Sequence, residues 1–155
     1  MRKIFILKNL LHYFCFMIHT EKYQQQLEEL ISNALKEDVG NGDHSTLSII
    51  GLEIRSKAIL KIKDEGIIAG IEVADKIFSF VEPTSILKKY KNDGDEMHFG
   101  ENAFEVEAKV YTILTCERLV LNCMQRMSGI ATLTKKYTDK LKGYRTKLLD
   151  TRKTT

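Results

Sequence analysis

Residues 103–134 read AFEVEAKVYTILTCERLVLNCMQRMSGIATLT, and the apolar period changes partway along them. Phe104, Val106, Ala108 and Val110 alternate with Glu105, Glu107 and Lys109, the period of two that gives a strand one apolar and one charged face. From about Thr112 the interval lengthens. Ile113, Val120, Met124, Met127, Ala131 and Leu141 keep a broadly helical spacing, which predicts a helix over 112–141. Gly129 falls inside it, where glycine costs about 1 kcal/mol relative to alanine. Either the helix breaks near Ser128 or a neighbouring backbone packs closely there, and Gly143 closes the helix.

On the N-terminal side of this stretch, Tyr23, Leu27, Leu30, Ile31, Ala34 and Leu35 predict a helix from Thr20, a candidate N-cap, to about Glu37. EDVGNGDHST (37–46) then reads as a tight irregular loop. Over 54–63 the even positions Ile54, Ala58, Leu60 and Ile62 are apolar and Arg55, Lys57, Lys61 and Lys63 fall on odd ones, a half-buried strand with a basic outer face. Asp64-Glu65-Gly66 turns the chain into IIAG (67–70), expected to pair back on that strand as a hairpin. A helix follows through Val73, Ala74, Ile77, Phe80 and Val81, ended by Pro83. A strand is expected over 85–90, then two turns at Asn92-Asp93-Gly94 and Phe99-Gly100. At the C-terminal end, RTKLLDTRKTT (145–155) reads as the start of a strand centred on Leu148 and Leu149, so the chain is expected to hold one complete domain and the opening of a second.

The 155 residues are 43% apolar and 29% charged with a single Pro, which excludes collagen-like, disordered and disulfide-scaffold classes. The net charge of +3 is uneven: residues 135–155 carry +6 and the remainder −3. Lysines 135–147 fit a solvated helix face, and with no aromatic platform beside them nucleic acid is not an expected partner. Cys15, Cys116 and Cys123 form no CxxC pair, as in a reduced intracellular protein, and cytoplasmic placement is expected. Cys116 and Cys123 share a helix face as small apolar residues rather than nucleophiles. His12, His19, His44 and His98 lack zinc-ligand spacing, and Glu37, Asp38 and Asp43 read as loop architecture, so no intrinsic metal site is expected. MRKIFILKNLLHYFCFMI (1–18) is basic, then apolar, yet Lys8 and His12 interrupt it and no small-x-small site precedes Glu21. Residues 1–19 are therefore expected to be an extension, with Met17 an alternative start, and no membrane span is expected.

Three stretches, ALKEDVGNGDHST (34–46), ERLVLNCMQRMSGIATLT (117–134) and LLDTRKTT (148–155), with EGIIAGIEVA (65–74) between the first two, resemble one family in order and spacing. It is the type II phosphoribosyltransferases that make nicotinate mononucleotide from quinolinate, also called nicotinate-nucleotide pyrophosphorylase (carboxylating). The resemblance covers about residues 21–155. It implies an α+β / α/β chain: an N-terminal α/β sandwich domain with a mostly antiparallel sheet over 20–111, a linking helix region over 112–143, and the first strand of a truncated α/β barrel over 144–155. It implies homodimers in which the partner's N-terminal domain completes an active site at the barrel mouth.

The activity implied is transfer of ribose 5-phosphate from phosphoribosyl pyrophosphate to the quinolinate nitrogen, releasing pyrophosphate and then the 2-carboxylate as CO2. Every ligand in that scheme is anionic, so forked fixed cations matter more than acid/base pairs. By resemblance, Arg118 reaches across the dimer to a quinolinate carboxylate, Arg152 binds quinolinate, and Lys153 is the catalytic lysine near the reacting groups and the donor's phosphates. Thr151 adds backbone or hydroxyl contacts, and Arg126, though inside a motif of the family, is expected to serve an interface or helix packing rather than substrate contact. Magnesium enters with phosphoribosyl pyrophosphate, its ligands expected in barrel segments beyond Thr155, and residues 1–155 are accordingly expected to be inactive alone. Two other readings stand beside this one: a non-catalytic dimerisation or regulatory module of the same fold, and the related protein found with molybdate transport.

Overall fold

The computed structural model describes residues 21–40 and 53–149. The extension over 1–19, the Thr20 cap, most of the 37–46 loop and the segment holding Thr151, Arg152 and Lys153 lie outside the described residues. Two compact units divide between Gly42 and Asp43. The first contributes α1 (Glu21–Val39), matching the spacing that predicts a helix there. It stops at Gly40, whose φ is 56° and whose N–H donates to the Lys36 carbonyl at 3.1 Å.

The second unit begins with β1 (Arg55–Lys61) and β2 (Gly66–Ile67), continues through α2 (Ile71–Val81), β3 (Ile86–Lys89), β4 (Glu96–Met97) and β5 (Asn102–Lys109), and ends in α3 (Val110–Lys140). Its main sheet is antiparallel with order β1-β5-β3, so β5 is central. Ala58 faces Val106 and Leu60 faces Phe104 across β1 and β5, while Leu87 of β3 also faces Val106. Phe104, Val106 and Ala108 are buried, as the alternation requires; Val110 is instead the first residue of α3. On the other face Lys57 pairs with Glu105 at 3.0 Å and Glu107 at 3.5 Å, a solvated charge ladder. Ile54, expected on the apolar face, precedes the strand and is exposed. α2 buries Ile71, Ala74, Ile77 and Phe78, and Phe78 meets Phe104 edge to face with ring centres 6.3 Å apart.

The expected hairpin between β1 and the IIAG segment does not form. A bulge at Leu60/Lys61 lets the chain run on, with Ile62 exchanging backbone hydrogen bonds with Glu101 and Gly100, so that β2 pairs antiparallel with β4. Its other edge is met by α3: the Ile67 N–H donates to Thr132 Oγ1 and the Ala69 N–H to Ser128 Oγ, both at 2.9 Å. Gly66 makes this approach feasible, since a Cβ there would lie 2.3 Å from Thr132 Oγ1 and its φ of 152° disfavours other residues. α2 then starts at Gly70, which has no side chain to cap it. The Asp93 carboxylate of the β3–β4 turn does so instead, accepting from the Ile71 N–H at 2.7 Å.

α3 passes through Gly129 without a break, and nothing lies within 4 Å of a Cβ built there, so neither expected explanation of that glycine holds within the described residues. The close approaches occur at Gly66 and Gly70, the latter against Met124 and Met127. The chain turns at Gly143, and residues 146–149 carry no strand.

Candidate functional site

α3 buries Thr112, Cys116, Val120, Met124 and Ser128, a run at intervals of four. Successive members of such a row advance by about 40° around the axis, so the buried line winds along the helix. It meets β5 and β1 first, and α2 and β2 further on. Arg118 lies midway between Cys116 and Val120 in sequence, which turns it away from that line, and it is exposed, as are Leu114, Leu121, Asn122, Gln125 and Arg126. The helix therefore presents Arg118 outward on a rigid, packed element. Arg126, expected at an interface or in helix packing, is exposed two turns further on.

Beside Arg118, Glu117 lines an apolar cavity of about 270 Å³ together with Leu60, Phe78, Phe104, Ile113 and Leu121. No periodicity marks this cavity, because its walls come from four elements, β1, α2, β5 and α3.

The root of α3 is held by one carboxylate. Glu82, 6% exposed, follows α2 and accepts the Lys109 N–H at 2.9 Å and the Thr84 hydroxyl at 2.9 Å, with Arg55 of β1 paired to the same carboxylate. Burial alone would push this carboxyl up, but the Lys109 N–H, the hydroxyls of Thr112 and Thr84 and the Arg55 guanidinium outweigh it and hold it at about 2. A charge so placed also complements the positive end of the helix dipole. Periodicity had offered no reason to single out Glu82, since a polar residue next to Pro83 reads as a turn.

Burial pushes the Cys116 thiol up to about 12, with the Glu82 charge adding to it, and burial raises Cys123 as well, so both are the poor nucleophiles expected. His98, which had no partner by spacing, binds Glu65 through Nδ1 at 2.6 Å across the β2–β4 region. Among the described residues no group of three or more His, Cys, Asp or Glu could hold a metal ion, and no helix is long and apolar enough to cross a membrane. Of the expected site residues, Arg118 is thus placed on α3, while Thr151, Arg152 and Lys153 lie outside the described residues.

The second unit is thus an antiparallel sheet backed by helices, with an arginine displayed on the long helix that leaves it. Residues 43–128 match the family described as quinolinate phosphoribosyl transferase, N-terminal domain, and the chain belongs to that family. It is 46% identical over 129 residues to quinolinate phosphoribosyltransferase [decarboxylating] 2b, mitochondrial, of Nicotiana tabacum, covering 83% of this chain and 36% of that protein. Against a probable nicotinate-nucleotide pyrophosphorylase [carboxylating] of Bacillus subtilis the identity is 39%, over 84% of this chain and 45% of the relative. The crystal structure of NadC from Streptococcus pyogenes superposes with a TM-score of 0.80 at 36% identity, covering 84% of this chain and 46% of that one. The chain spans less than half the length of these relatives.

Proposed function

We propose that this chain serves quinolinate phosphoribosyl transfer by supplying, from α3, a cation that completes the active site of a second subunit. The observation that carries the reading is the placement of Arg118 within ERLVLN: exposed, while Cys116 and Val120 on either side of it are buried. A guanidinium mounted on a packed helix can engage a carboxylate bidentately on a neighbouring molecule. In the proposed reaction the quinolinate nitrogen displaces pyrophosphate at the ribose anomeric carbon, and the C2–carboxylate bond then breaks. The electron pair of that bond is received by the cationic ring, and the ring carbon takes up a proton as CO2 leaves. Arg118 holds one carboxylate and so fixes which ring face meets the donor. Arg152 and Thr151 bind the same acid, and Lys153 lies toward the reacting groups and the donor phosphates. The described residues do not fit a magnesium site, and no step assigned to them runs through that ion.

The relatives' names support quinolinate as the acceptor rather than a molybdate-linked role. With 36 to 46% of the relatives' length present, the 155 residues by themselves are proposed not to turn over quinolinate, and to act in the cytoplasm as one half of a shared site. The test is complementation. The chain is mixed with the Bacillus subtilis relative in which the counterpart of Arg118 is alanine, and quinolinate-dependent CO2 release is followed. Recovered turnover with the wild-type chain, reduced about 30- to 150-fold with Arg118→Ala, is expected for loss of a charge-assisted pair worth about 2 to 3 kcal/mol. Failure to form the mixed dimer, or a mixed dimer without turnover, overturns the proposal.

A further inference from the structure

We infer that Glu82 is a positioning residue for Arg118, an inference that rests on the reading of Arg118 as the arm of a shared site. β5 passes into α3 with no intervening loop: Lys109 is the last strand residue and the helix N-cap at once, with φ −61° and ψ 141°. With no loop between them, the angle at which α3 leaves the sheet is set at this junction and, further along, by the contacts of Ser128 and Thr132 with the β2 segment. Arg118 lies nine residues beyond Lys109, about 13 Å along the axis, so a swing of about 10° at the junction would carry it about 2 Å. Misplacement of a binding group by about 1 Å can cost about 10²-fold in rate.

Glu82 fixes that junction from outside both elements. Its Oε2 accepts the Lys109 N–H, and the Thr112 hydroxyl in the first turn of α3 binds the same carboxylate. Its Oε1 takes Thr84 and Arg55, and Arg55 is itself tied to the Thr84 carbonyl at 3.2 Å and the Glu107 carbonyl at 3.3 Å. One carboxylate thus joins the edge strand β1, the turn after α2 and the start of α3. The contacts further along, through Cys116 and Val120, are apolar and permit sliding, whereas these are directional. For stability alone, a well-packed apolar residue commonly serves as well as a buried ion pair. What the carboxylate adds is a fixed angle at the root of the arginine-bearing helix.

The test uses the mixed dimer, with Glu82→Gln and, separately, Thr112→Val in this chain, assayed at a temperature where circular dichroism shows each variant folded. Expected is a KM for quinolinate raised about tenfold by Glu82→Gln and about threefold by Thr112→Val, with the KM for phosphoribosyl pyrophosphate within twofold of wild type. A role confined to stability would lower the number of active dimers, and with it the maximal rate, without moving either KM. A wild-type chain that complements, beside variants that keep its quinolinate KM, overturns the positioning role and leaves the proposed function standing. A wild-type chain that does not complement overturns the function itself and this inference with it. Thr112→Val carries the test if Glu82→Gln does not fold.

Discussion

The two ends of the buried line of α3 are held by different physics. At Thr112 the helix is anchored by a buried carboxylate that gathers a guanidinium, two hydroxyls and a backbone N–H. At Ser128 and Thr132, four turns and more along, it is anchored by neutral hydroxyls that substitute for a missing strand, and by the absence of a side chain at Gly66. The first anchor is directional and titratable; the second is steric and indifferent to pH. A helix held by charge at one end and by shape at the other can be loosened at either end independently, and Arg118 lies nearer the charged one.

Removing the charge should have the larger effect. Glu82→Ala strands Arg55 and the Lys109 N–H in partly buried surroundings, and breaking a buried pair by losing one partner costs about 3 to 5 kcal/mol. Urea unfolding should show a loss near the lower figure, since Arg55 remains partly exposed. The pH dependence follows with a definite sign. Because the Glu82 carboxyl is held at about 2 against an ordinary 4.5, its contribution is fully present above 4.5 and is lost as pH falls from there toward 2. Stability measured over that window should fall in the wild type and fall less in Glu82→Gln. Equal slopes would remove the charge from the account of this anchor.

At the steric end, Gly66→Ala forces a Cβ against Thr132 and keeps a φ that alanine disfavours; overpacking alone costs about 1 to 3 kcal/mol. Adding Thr132→Ala should recover part of that loss, a non-additivity readable in a double-mutant cycle. Ser128→Ala should cost less, about 1 kcal/mol, by leaving the Ala69 N–H without its acceptor. The loss from Ser128→Ala should not vary between pH 3 and 6, and a variation there would mean that the two anchors are coupled.

The same contrast marks how far the sequence could be read. Elements with a strong period were legible: the β5 alternation, the long helix, and the apolar spacing of α2. Pairing was not. The IIAG segment looked like the return arm of a hairpin because a turn signal precedes it, yet its partners, Glu96 and Met97 on one side and Ser128 and Thr132 on the other, lie about 30 to 65 residues away. Gly129 invited an explanation by close packing that belonged to Gly66 and Gly70, since a glycine in a sequence does not reveal which backbone approaches it. The exposure of Arg118 was legible because a helical period predicts which way it faces. Glu82 was not, because a hub built from three elements leaves no trace in the spacing of any one of them.

His98 is a weaker charged contact than Glu82, and it lies on the steric side of the molecule. Its Nδ1 meets Glu65, whose other oxygen accepts the Phe99 N–H at 3.2 Å, while the His98 N–H donates to Glu101. The hydrogen bond and charge of Glu65 raise the imidazole above its ordinary 6.5, with Glu101 adding to them and Lys91 opposing. For a raised histidine the sign is opposite to that of Glu82: the contribution is complete below 6.5 and is lost as pH rises through the higher folded value. Both side chains are more than half exposed, so water and salt screen the pair and the change in stability should be small. The sensitive readout is the proton spectrum of the His98 ring, whose midpoint should lie above 6.5 and return toward it in Glu65→Gln, and toward it with added salt. A midpoint unmoved by either would leave Glu65 acting on the loop only through the Phe99 N–H, and the β2–β4 region would then be held by shape and neutral hydrogen bonds throughout.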